Sequence, residues 1–212
     1  NWGTYSDQVT QAGRALIALG FEPGQTSCIL GFNRPEWAIM DLATMGVGGA
    51  PAGIYTTCSP VEVRYITAHA EAPIILVENV EQWKKVEAER ANMPKLKHVV
   101  TMKGTPAIDD DMVLTWEEFM AKGDEVPKQA YLDRIDALDP NDLATLIYTS
   151  GTTGPPKGVM LSGHNLAWTS NVAIQVTTVN ANDSMLSYLP LSHIAEQMFT
   201  LHIPITTGSV VY

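Results

Sequence analysis

The chain has 212 residues, 45% hydrophobic and 17% charged, enough apolar material for one sizeable core or two modest ones. With 13 Lys and Arg against 23 Asp and Glu it carries a net charge of −10, a surface that repels polyphosphate backbones and so excludes nucleic acid as a partner. No apolar run approaches the roughly 20 residues of a bilayer span, and no charged segment followed by an apolar one opens the chain, so nothing reads as a transmembrane or leader segment.

In chain order, Thr4 or Ser6 can cap a first helix whose Val9, Leu16, Ile17 and Leu19 share a face, with Gly20 as its stop. An apolar strand follows over 27–32. Asn33 with Glu36 three residues later reads as a capping-box start for a helix through Ala38, Ile39 and Leu42. Gly46, Gly48 and Gly49 break it before a strand over 50–55. Ser59-Pro60-Val61-Glu62 supplies a hydroxyl cap, proline at the first helical position and a glutamate at the third, which starts a helix to about residue 70. Pro73 precedes a strand over 74–77; a charged helix over 80–90 leads to a strand over 98–102. Residues 104–111 read as a surface loop, Thr115 with Glu118 starts a short helix, and 123–142 is polar and reads as irregular. Strands separated by helices predict an α/β fold of layered, mostly parallel sheet with flanking helices. Cys28 and Cys58 are too few for a disulfide framework and read as small buried residues in a reduced, cytoplasmic setting. Opening on Asn1, the chain reads as an excised segment.

The chemistry-bearing stretch is Thr149-Ser150-Gly151-Thr152-Thr153-Gly154-Pro155-Pro156-Lys157-Gly158, set between the apolar runs 143–148 and 159–161. Hydroxyls and unshielded backbone N–H groups donate to a polyphosphate, glycines let the backbone approach it, and a lysine adds a point charge. A Walker loop needs Gly before the Lys and Ser or Thr after it, and feeds a helix. Here Pro156 and Gly158 flank Lys157, and Val159-Met160-Leu161 reads as a strand, so the motif is a strand–loop–strand hairpin. Helix directly after Lys157 would revive the Walker reading; a Gly-rich turn without ligand is the plainer alternative.

Tyr148 to Gly158 resembles the signature loop of the adenylate-forming (AMP-binding) superfamily, whose members include acyl-CoA synthetases, luciferases and amino-acid adenylation domains. Gly53-Ile54-Tyr55-Thr56-Thr57-Cys58-Ser59-Pro60 and Tyr188-Leu189-Pro190-Leu191-Ser192-His193-Ile194-Ala195-Glu196-Gln197 are similar to long-chain acyl-CoA synthetases, above all the bubblegum type. The resemblance covers the whole chain and implies an incomplete N-terminal AMP-binding domain, divided at roughly 1–140 and 141–212. The adenine, ribose and hinge motifs and the C-terminal lid are expected downstream of Tyr212.

That resemblance implies ATP-dependent activation of a fatty acid to an acyl-adenylate, then transfer to coenzyme A, by a parent ligase that this segment alone does not complete. It also implies that Thr149, Ser150, Gly151, Thr152, Thr153, Gly154 and Lys157 hold the β- and γ-phosphates, with Thr149 as a Mg²⁺ ligand. The matching histidine, His193, would lie beside the acyl carboxylate and α-phosphate, so His193 and Lys157 are the catalytic candidates. Read without the family, a lone histidine near a helix start is more often a cap. His164 and Asn165 read as helix-start residues. His69, His98 and His202 lack partners at metal-ligand spacing, so no zinc site is expected. Trp168, Met198, Phe199 and Leu201 are either neighbours of an acyl tunnel or plain core. An acyl-AMP ligase, a luciferase-like or aryl-acid enzyme, and a non-catalytic nucleotide-binding module remain alternatives. Peripheral membrane contact and self-association are compatible with all of them.

Overall fold

Short apolar runs too brief for helices become the centre of a sheet. In the computed structural model, which describes residues 1–149 and 154–212, β1 is Thr26–Leu30, β2 Ala50–Ile54, β3 Ile74–Val77, β4 His98–Thr101 and β5 Val113–Leu114. Every residue of β1, β2 and β3 is buried, as expected of parallel strands covered on both faces. β6 (Leu143–Thr149) and β7 (Lys157–Ser162) complete a seven-stranded sheet of order β5-β4-β3-β1-β2-β6-β7. All pairings are parallel except β6 with β7.

The period-two alternation of side chains sorts the interior into two layers. Ile29, Ile74, Leu76 and Val100 face one way, onto α1 (Trp2–Ala18), α2 (Pro35–Gly46) and, through Phe119 and Tyr131, α5 (Trp116–Lys122) and α6 (Lys128–Asp136). Cys28, Leu30, Ile75, Val77 and Val99 face the other way, onto α3 (Pro60–His69) and α4 (Val80–Glu89). The sequence thus folds as a three-layer α/β/α unit, with each buried aliphatic side chain contributing about 1.5–3 kcal/mol.

Both strong helix starts form as read: Ser59 with Glu62 and Thr115 with Glu118 each close a reciprocal capping box. Three local expectations are corrected. α1 starts at Trp2, capped by Asn1, whose side chain accepts from the Thr4 N–H at 2.9 Å; an asparagine ahead of the first turn outcompetes the hydroxyls inside it. α2 starts at Pro35 with no side-chain cap, because Asn33 is engaged elsewhere. The polar stretch 123–142 is not irregular throughout: it holds a 3₁₀ turn, Gly123–Glu125, and α6. α6 docks by Tyr131, whose ring lies over Gly13 of α1 so closely that a Cβ there would sit 2.2 Å from it. One aromatic anchor leaves no apolar stripe to read.

Past the hairpin come α7 (Gly163–Thr177), β8 (Ser184–Met185), α8 (Ile194–Gln197), a π turn (Met198–His202), α9 (Ile203–Thr207) and β9 (Val210–Val211), which pairs parallel with β8. Asn165 is a helix-start residue as expected, closing a capping box with Ser162. No helix is long and apolar enough to cross a membrane among the described residues.

Candidate functional site

The hairpin is real and antiparallel, and its register puts Thr149 directly opposite Lys157. Both are exposed, at the mouth of the loop they bracket, and α7 begins only at Gly163, after a six-residue strand. That removes the Walker arrangement. Ser150, Gly151, Thr152 and Thr153 lie outside the described residues; Gly154 is exposed beside Pro155. Below the mouth, Tyr148 is buried; its hydroxyl lies 2.8 Å from His69 Nδ1 and its ring covers Gly158 across the hairpin. Burial, with Cys28 and Tyr65 nearby, pushes the Tyr148 phenol up, so the ring is a neutral strut.

β6 lies beside β2, with Ala52 opposite Leu146 and Gly53 opposite Ile147 in parallel register. Their carboxyl ends therefore point the same way. Ligands of open α/β sheets sit at that end. Over the carboxyl end of β2 runs the segment carrying His193. A Cβ on Gly53 would stand 2.8 Å from Ser192 Cα, so only glycine lets this strap lie against the strand. The strap leaves the short β8 ladder after one last bond, from Ser187 N–H to Tyr212 O at 2.8 Å. Its backbone is held by side chains instead. Asn33, in the loop after β1, donates through Nδ2 to Ser187 Oγ (2.8 Å) and Leu189 O (2.7 Å), and accepts from Leu191 N–H through Oδ1 (2.9 Å). Glu196 accepts from Ser187 Oγ (2.7 Å), Thr200 Oγ1 (2.6 Å) and Leu189 N–H (3.1 Å). Gln197 Nε2 donates to Leu191 O at 2.9 Å.

His193 sits at the tip of this braced turn. Its N–H donates to Pro190 O at 2.8 Å, and its Nδ1 caps α8 by accepting from Ala195 N–H at 3.2 Å. The neutral ring therefore carries its proton on Nε2, and the exposed side chain can present that donor to an anionic oxygen. The capping and site readings are compatible, since each uses a different ring nitrogen.

The four apolar candidates do not form one wall. Trp168 and Phe199 are 61% and 48% exposed, whereas Met198 is buried and Leu201 belongs to the core against α1 and α2. Two cavities lie away from the mouth of the hairpin. One, about 480 Å³, is lined by Leu42, Leu166, Ser170 and His202 among others; a second, about 790 Å³, is lined by Asn33, Ser187, Leu191 and Leu201. Neither includes Thr149, Lys157 or His193. Burial lowers His202 to about 4, which keeps it neutral. No cluster of three or more metal-binding side chains occurs among the described residues. Sequence reasoning missed Asn33 and Glu196 as site-building residues.

The AMP-binding enzyme family matches residues 1–212. Among curated relatives, the chain is 38% identical to the long-chain-fatty-acid–CoA ligase ACSBG2 of Gallus gallus over 98% of this chain and 28% of that protein. It is 41% identical to ACSBG1 of Macaca fascicularis over 95% of this chain and again 28% of that protein. Among solved structures, the anthranilate CoA ligase AuaEII in complex with anthranoyl-AMP superposes with TM-score 0.84 at 24% identity, over 98% of this chain and 38% of that one. A long-chain-fatty-acid–CoA ligase (FadD1) from Archaeoglobus fulgidus gives 0.81 at 19% identity, over 100% and 39%. At those identities the structural likeness speaks to the fold, which agrees with the layered parallel sheet; the chain spans 28% of the length of the first relatives. With the hairpin, the parallel sheet and the match over residues 1–212 in agreement, the chain belongs to the AMP-binding enzyme family.

Proposed function

We propose that this chain is the phosphate-holding and acyl-positioning part of a long-chain fatty acid–CoA ligase. The observation that carries this reading is the pairing of Thr149 with Lys157 at the mouth of the hairpin, beside the strand over which His193 is braced. In the proposed reaction a fatty carboxylate attacks the α-phosphorus of ATP, pyrophosphate leaves, and the thiol of coenzyme A then displaces AMP from the acyl-adenylate. A carboxylate oxygen is a poor leaving group and an AMP phosphate a good one, so the protein's share is positioning and charge stabilisation.

Lys157 supplies the cation for the β- and γ-phosphates, and Thr149 with Ser150, Gly151, Thr152, Thr153 and Gly154 supplies hydroxyl and backbone donors. His193 Nε2–H donates to the charge developing between carboxylate and α-phosphate. The Thr149 hydroxyl is a hard oxygen donor and fits Mg²⁺ when phosphate and water oxygens complete the shell; the metal supplies charge neutralisation at the phosphates. The two curated relatives are both named long-chain-fatty-acid–CoA ligases, which supports the substrate class. The same reading places the protein in the cytoplasm, with the exposed Met160, Trp168 and Val176 as contact points for self-association or a membrane surface.

ATP–pyrophosphate exchange by the full-length gene product, across a panel of fatty acids, tests the proposal. Lys157 is exposed, so Lys157→Ala spares the fold while removing charge-assisted bonds of about 1.5–3 kcal/mol, a loss of at least about tenfold in kcat/KM for ATP. Unchanged exchange kinetics in that variant would remove the phosphate role.

A further inference from the structure

The strap from Ser187 to Leu191 has backbone polar groups that a sheet ladder would normally satisfy, and beyond Ser187 N–H side chains, chiefly Asn33 and Glu196, replace that ladder. Asn33 behaves as a peptide group from a missing strand: its amide bonds Leu189 O and Leu191 N–H, the alternate groups that a neighbouring strand would meet. From α8, Glu196, only 1% exposed, takes Leu189 N–H on Oε2 and two hydroxyls on Oε1. Ser187 Oγ joins the two halves, accepting from Asn33 and donating to Glu196. The carboxylate has three donors and no cation among its bonds, so its work is geometric.

We propose that Glu196, with Asn33 as its counterpart, is a positioning residue that fixes the His193 turn over the carboxyl end of β2. Glu196 lies three residues after His193 on the same short helix, and its N–H donates to His193 O at 3.0 Å. One bond chain therefore runs from the loop after β1, through Ser187 and Glu196, to the histidine. Gly53 supplies the floor and Glu196 the brace; without the brace, Leu189 N–H and the Ser187 hydroxyl lose their acceptor, and the turn is left to Asn33 and the single bond from Gln197 to Leu191 O. The inference rests on the proposed role of His193, and extends it to the residues that hold that ring in place.

A double-mutant cycle in the full-length gene product tests it, read by ATP–pyrophosphate exchange and by backbone hydrogen exchange over residues 187–195. Glu196→Ala is expected to lower kcat on the order of 100-fold, the penalty of a misplacement near 1 Å, with KM for ATP nearly unchanged. In a His193→Ala background the same substitution should remove nothing further, because the brace has nothing left to position. Glu196→Gln keeps an acceptor for Leu189 N–H and can donate to a reversed Ser187 or Thr200 hydroxyl, so it should restore most of the rate. Losses that add in the double variant, or wild-type kcat in Glu196→Ala, overturn the proposal. If His193→Ala is itself silent, the catalytic reading of His193 falls, and hydrogen exchange decides the brace. Protection over 187–195 lost at least about tenfold in Glu196→Ala but kept in Glu196→Gln upholds it; protection kept in Glu196→Ala overturns it.

Discussion

Asp41 offers the sharpest test of how this core is held. It lies in α2, fully buried, and neither carboxyl oxygen has a hydrogen-bond partner. The titratable group facing it from α1 is Tyr5, whose hydroxyl is also unpartnered and whose phenol is pushed up by burial and by Asp41 itself. Burial raises the Asp41 carboxyl from 3.8 to about 8. A group whose folded value is raised contributes stability that is fully present below its unfolded value and is lost as pH rises toward the folded one. Between 3.8 and about 8 the wild-type chain therefore loses about 1.4 kcal/mol per pH unit at this site. Asp41→Asn imitates the protonated acid and has no such loss. From about pH 5 to pH 7 the stability difference between the two proteins should grow by about 3 kcal/mol in favour of the asparagine variant. Urea unfolding of both at matched ionic strength measures it, since every other titrating group cancels between them. A difference that stays constant over that range would refute the assignment of a buried neutral acid.

His202 gives the opposite slope. Its folded value is depressed to about 4 by burial, so its contribution is complete above 6.5 and is lost as pH falls from there toward 4. Replacing it by Gln should remove an acid-side loss of about 3 kcal/mol, read from unfolding midpoints over that window; an unchanged acid limb would contradict it. Gly53→Ala drives a Cβ into backbone at Ser192 that cannot rotate aside. It should lower stability by about 1–3 kcal/mol and reduce amide protection at Leu191, and an unaltered protection pattern there would contradict the close approach.

Features carried by neighbours in sequence were legible in advance. The apolar runs of β1, β3 and β4 announce buried parallel strands, and Ser59 and Thr115 reach their glutamates within one turn, so spacing alone reveals them. The hairpin was legible because hydroxyls, glycines and lysine sit together between two apolar segments. Asn33 was misread for the converse reason: Glu36 lies three residues away and suggests a cap, whereas its real partners are more than 150 residues along the chain. Nothing local distinguishes those uses. Glu196 carries no local sign of its role, because a buried carboxylate met by hydroxyls leaves no periodic signal. α6 escaped notice because its apolar attachment is one tyrosine, Tyr131, laid over Gly13 and Gly46, a match of shapes between separate elements.

Cys28 sits in β1 with Ala52 and Ile75 in register on either side, fully buried, its thiol pushed up to about 12 by burial. It is consequently inert to alkylating reagents for as long as three adjoining strands stay zipped, whereas half-buried Cys58 reports only local access. The two thiols give the chain an internal stopwatch: the interval between their labelling times reads the rate at which the middle of the sheet comes apart.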